Sequence, residues 1–178
     1  MMNEKCNMIE VLQHTRHDWL NRLQLIKGNI ELGKIEQAKR IINEIVLDTQ
    51  HEARLTNLKL PEFASMLLTH NWSGHSFRIE YEIVDDLQVS QLDDKLLANW
   101  MHRFFRELDD AVHPLYENHL YITIEPLDNK VLFLFHCNGV IKDSSALEQW
   151  LISEHRHAEK VEIRVVSKSE IVVEAIFN

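Results

Sequence analysis

Residues 17–45 read HDWLNRLQLIKGNIELGKIEQAKRIINEI, and the periodicity of this stretch decides the fold. Extended backwards, its apolar residues fall at Ile9, Leu12, Trp19, Leu23, Ile26 and Ile30, with Arg16 interrupting a 3-4-3-4 spacing. That spacing predicts a long amphipathic helix with a heptad-like stripe. Gly33 suits its C-terminal cap, because a left-handed residue costs glycine little. A second stripe follows at once, at Ile35, Ala38, Ile42, Ile45, Val46, Thr49 and Ala53. Two helices joined by so short a turn run antiparallel. A hairpin with such stripes needs a further surface to cover them, at roughly 25 cal/mol per Å² of apolar area buried. Two partners are open: a second copy, giving a dimeric four-helix bundle, or the chain's own C-terminal half.

After residue 58 the pattern changes. Residues 60–72 predict a short helix opening on Pro61, which a first helical turn tolerates. Phe77, Ile79, Tyr81 and Ile83 alternate with polar residues, which is strand periodicity. Residues 92–112 predict a helix with an apolar set at Leu96, Leu97, Trp100, Phe104, Leu108 and Val112. Strands are expected over 120–127, 130–138 and 161–177, the last splitting near Lys168–Ser169, with a helix over 144–154. The fold class is therefore α+β: a helical hairpin over residues 1–58, then an α/β sandwich over 59–178 with a mostly antiparallel sheet and helices on one face.

Composition narrows the function. The chain has 178 residues and a net charge of -9, which disfavours non-specific nucleic-acid binding. Its two cysteines, Cys6 and Cys137, form no metal or redox motif, consistent with a reduced compartment. No run approaches the ~20 apolar residues of a membrane span, and the N-terminus carries no signal-peptide pattern. The expectation is a cytoplasmic protein without membrane or nucleic-acid partners.

His17 is the residue of interest. On a helical wheel it lies about 125° from the stripe centre, with Gln13, Asn21 and Gln24 within about 40° of it. A surface histidine, a metal ligand and a nucleophile are all open readings. His14 and His17 share no third ligand on their face, which weakens the metal reading. His155 and His157 read as a solvated turn, and His102 and His113 as ordinary residues of the long C-terminal helix and its end.

The run H-D-x-x-N-x-L-Q-x-I-x-G, on the first helix of a hairpin, resembles the phosphoacceptor hairpin of the sporulation-initiation phosphotransferases of bacterial phosphorelays. It is also similar to the dimerisation hairpins of citrate/malate-type sensor histidine kinases. Residues 107–113, ELDDAVH, resemble the asparagine box of histidine-kinase ATPase domains, with Asp110 where the magnesium-holding asparagine stands. Residues 136–141, HCNGVI, resemble the first glycine box, with Cys137 at the adenine-binding aspartate and Ile141 at the second glycine. Gly139 is the last glycine in the chain. Phosphate cradling needs glycines where backbone N–H groups approach the ligand.

The resemblance thus implies an ATPase-like domain without nucleotide boxes, and a homodimeric histidine phosphotransferase with no cofactor of its own. His17 would accept a phosphoryl group from one response-regulator receiver domain and pass it to a second, with Mg²⁺ held by the receivers. Asn21 would orient the imidazole. Asp18, about 100° round the helix from His17, is left between a catalytic role and one in local charge. Gln13, His14 and Gln24 would contact the docked receiver, and Leu20 and Leu25 would add apolar contacts. Two rivals stay open: an ATP-dependent sensor-kinase fragment, and a non-catalytic scaffold that binds receivers.

Overall fold

The computed structural model describes residues 8–84, 92–153 and 158–178. Cys6, His155 and His157 lie outside the described residues. The chain forms two compact units, Met1–Glu52 and Ala53–Asn178.

The first unit holds α1 (Met8–Glu31) and most of α2 (Ile35–Asn57). Gly33 takes φ +70° and ends α1. The Lys34 N–H bonds the Asn29 carbonyl and the Gly33 N–H bonds the Ile30 carbonyl, which satisfies carbonyls the helix end would otherwise orphan. No residue of α1 is buried. Its half-buried side chains are Val11, Thr15, Arg22, Ile26 and Asn29, whereas Ile9, Leu12, Trp19, Leu23 and Ile30 are exposed. The two sets point about 85° apart on the wheel. In α2, Ala38 is buried and Ile41 and Ile45 half-buried, while Ile35, Ile42 and Val46 are exposed at the same angular offset, about 85°. Equal offsets on antiparallel helices put both exposed stripes on one side of the hairpin.

The second unit is α+β. It begins in the last turn of α2 and continues through α3 (Pro61–His70), β1 (Arg78–Ile83), α4 (Asp94–Ala111), β2 (His119–Leu127), β3 (Lys130–Asn138), α5 (Ser145–Ser153), β4 (Lys160–Val166) and β5 (Glu170–Phe177). The sheet order is β1-β2-β3-β5-β4. The β1–β2 pair is parallel and the other three pairs are antiparallel. Strand alternation sends Ile79, Ile83, Leu120, Ile122, Ile124, Phe133, Phe135, Val173 and Phe177 into a core shared with α3, α4 and α5. The expected helices and strands all occur, to within a few residues at their ends. Leu96, placed in the apolar set of α4, is exposed; Met101 and Phe105 fill the core instead.

Side chains close two backbone openings. Asp94, one residue past the Asp93 N-cap of α4, accepts from the Glu62 and Phe63 N–H groups at 2.8 and 2.9 Å and so caps α3, where Pro61 supplies no donor. On the free edge of β1, Asn71 donates to and accepts from the Ile79 backbone, both at 2.8 Å, and Arg54 donates to the Ile83 carbonyl at 2.7 Å. An edge paired in this way offers less to a foreign strand.

Next to that edge lies a histidine pair with no signature in the sequence. The buried His70 ring stacks on His75 at 4.0 Å between centroids, and His75 Nδ1 lies 2.5 Å from Asp109 Oδ2. Burial first, and His75 second, push His70 down to about 4. Its folded form therefore resists the proton that the unfolded chain takes up near pH 6.5. Stability is expected to fall as pH drops from 6.5 to 4, by about 3 kcal/mol from this residue alone. Denaturant titrations at a series of pH values should show that slope, and His70→Gln should flatten it. An unchanged slope in the variant would assign the pH dependence elsewhere.

Candidate functional site

The site lies in the middle of α1, more than two turns from either end of the helix, where every backbone group has its intrahelical partner. His17 is therefore carried on a stiff mount, and its side chain is 72% exposed. Asn21, one turn on, places Nδ2 3.2 Å from His17 Nδ1. Asp18 Oδ1 lies 3.5 Å from the same nitrogen. The expected separation of about 100° between Asp18 and His17 does not keep them apart. That angle describes where the side chains leave the backbone, and beyond it the two converge. Both neighbours address Nδ1, and Nε2 faces away from them.

Gln13, His14 and Gln24 are exposed, and Leu20 and Leu25 flank the His17 face from either side with their apolar surface open. Across the hairpin, Arg22 Nη2 lies 2.8 Å from Asp48 Oδ2 on α2. Glu52, one turn beyond Asp48, is held above the ordinary carboxylate range, chiefly by burial; Arg22 opposes that shift and Asp48 adds to it. Pairing across the hairpin leaves no trace in local spacing, so the sequence alone did not reveal Arg22.

The segments likened to nucleotide boxes have other roles in the second unit. Cys137 points into the core from β3, and burial raises its thiol to about 12. Asp110 is exposed at the end of α4, while its neighbour Asp109 holds His75 and the Ser76 N–H. Gly139 packs on the buried Asn118, and a Cβ at residue 139 would meet Asn118 Oδ1 at 2.1 Å. Asn118 donates to the Ser76, His113 and Tyr116 carbonyls and accepts from the Val140 N–H. The glycine is thus required by close packing. Among the described residues no group of His, Cys, Asp and Glu is arranged to hold a metal ion, and no helix is long and apolar enough to cross a membrane.

Two family models match the chain. One, described as the C-terminal part of sporulation initiation phospho-transferase B, spans residues 59–178. The other, the alpha-helical domain of the SpoOB-type sensor kinase, spans residues 1–58. Sporulation initiation phosphotransferase B of Bacillus subtilis (strain 168) is 38% identical over 143 residues, 79% of this chain and 74% of that protein. Among solved structures, the histidine kinase AdeS of Acinetobacter baumannii aligns at 8% identity and a TM-score of 0.44, over 91% of this chain and 97% of its own. A bacterial phosphotransferase aligns at 15% identity and a TM-score of 0.40, over 95% and 97%. With both family models matched and that relative in hand, the chain belongs to the sporulation initiation phosphotransferase B family.

Proposed function

We propose that this chain is a histidine phosphotransferase of a sporulation phosphorelay. It takes a phosphoryl group from the aspartyl phosphate of one response regulator onto His17 and hands it to the aspartate of a second. The observation that carries the reading is the exposed imidazole of His17, gripped at Nδ1 alone by Asn21 and Asp18.

A carboxylate favours a proton on the nitrogen it faces, so Nδ1 carries the proton of the neutral ring and Nε2 keeps the lone pair. With that tautomer Asn21 turns its amide oxygen to Nδ1; oxygen and nitrogen of the amide exchange by a simple flip. Nε2 attacks phosphorus in line, the P–O bond of the acyl phosphate breaks, and the electron pair leaves on the donor's carboxylate. The second receiver's carboxylate then attacks phosphorus, the P–N bond breaks, and the pair returns to Nε2. The transition state is loose, so catalysis is mostly positioning and charge neutralisation. The neutralising Mg²⁺ belongs to the receiver domains, and this chain contributes no cofactor.

The two exposed apolar stripes on one side of the hairpin favour a second copy as their cover, giving a four-helix bundle with His17 on the outward side of each hairpin. Residues 1–58 then form the phosphoacceptor and dimerisation domain. Residues 59–178 have a structural cysteine and a packed glycine where a nucleotide would need an acceptor and a cradle, which supports a reaction without ATP.

The reading is tested by mixing a phosphorylated, radiolabelled receiver with a second receiver and Mg²⁺, without ATP. Label should reach the second receiver only when this chain is added. Binding of both receivers without transfer would replace the relay by a scaffold. Labelling of the chain from ATP would make it a kinase.

A further inference from the structure

The hold of α1 on α2 rests on few contacts. No residue of α1 is buried, and its half-buried side chains include one charged group, Arg22. The Arg22 guanidinium reaches Asp48 on α2 at 2.8 Å, and Glu52 lies close enough for both to act on its titration. Arg22 stands five residues past His17, about 7.5 Å along the helix axis. It sits amid the half-buried side chains that face α2, one turn beyond Asp18. The rotation of α1 about its own axis decides where Nε2 of His17 points. Side-chain tips lie roughly 6 Å from that axis, so a turn of about 10° carries them about 1 Å. A misplacement of about 1 Å is enough to cost a hundredfold in rate.

We propose that Arg22 is a positioning residue for phosphoryl transfer: its clasp on Asp48 fixes the rotation of α1 and thereby the line of attack of His17. The inference rests on the phosphotransferase reading above. The clasp has small thermodynamic weight, because a half-exposed ion pair contributes about 0–1 kcal/mol to stability. It acts on orientation, and the predicted signature is therefore kinetic. Arg22 lies about 140° round α1 from His17, off the face that carries the imidazole, so the expected change is in rate and not in receiver docking.

The test uses the full-length chain and a phosphorylated receiver with Mg²⁺, and reads the rate of label transfer against receiver concentration. Arg22→Gln and Asp48→Asn should each lower the maximal rate about tenfold, with the half-saturating receiver concentration unchanged and thermal unfolding shifted little. The charge swap Arg22→Asp with Asp48→Arg restores the clasp with reversed polarity and should recover at least half of the lost rate. Unchanged rates in the single variants would overturn the inference. So would a raised half-saturating concentration at full maximal rate, or a swap no faster than the single variants. Wild-type protein that takes no label from any receiver would overturn the phosphotransferase reading itself, and the inference with it.

Discussion

His17→Gln is expected to abolish phosphoryl transfer completely while leaving the protein folded. Glutamine keeps a polar side chain of similar reach but has no nucleophilic nitrogen, so the covalent step has no substitute. The wild-type imidazole is largely exposed and its polar neighbours are on its own helix, so the stability change should stay within about 0.5 kcal/mol. The assay is label transfer from a phosphorylated receiver, with circular dichroism and thermal unfolding as the control for folding. Loss of transfer with an unchanged melting temperature assigns the chemistry to this side chain. Residual transfer at the wild-type rate would make His17 a surface residue.

Asn118→Ala is expected to destabilise the second unit by about 4 kcal/mol or more, the largest stability effect of any single change considered. The side chain is 2% exposed and serves three carbonyls and one N–H. Each buried polar group left unpaired costs about 1–3 kcal/mol. Gly139→Ala should cost several kcal/mol as well, because its Cβ would overlap the same amide. The two changes share one space, so their effects should fall short of additive: removing the amide makes room for the methyl group. Chemical denaturation of the single and double variants measures this. A fully additive double variant would mean that Gly139 is required for some other reason. The result bears on function, because it explains the last glycine of the chain without a phosphate to cradle.

Much of this molecule was legible in its sequence. The heptad spacing of α1, the glycine between the helices and the alternation of β1 each report a local rule, and local rules survive in one dimension. The split between β4 and β5 at Lys168–Ser169 was readable for the same reason. The His17 face was legible because Asn21 is one turn away on one helix. What was not legible depends on residues far apart in the chain. Arg22 meets Asp48 across 26 positions, Asn118 meets Val140 across 22, and His75 meets Asp109 across 34. The role of Gly139 could not be separated from that of a nucleotide box until Asn118 was seen beneath it. The approach of Asp18 to His17 was not legible either, because a helical wheel records where side chains start and not where they end.

In the relay, phosphate passes through His17. The most direct measurement incubates the wild-type chain with a phosphorylated receiver and Mg²⁺ in the absence of ATP, digests it at alkaline pH, and locates the phosphate by mass spectrometry. One acid-labile, base-stable phosphate is expected, on His17 alone among the 11 histidines. Phosphate on another histidine, or none on the chain while label still reaches a second receiver, would contradict it.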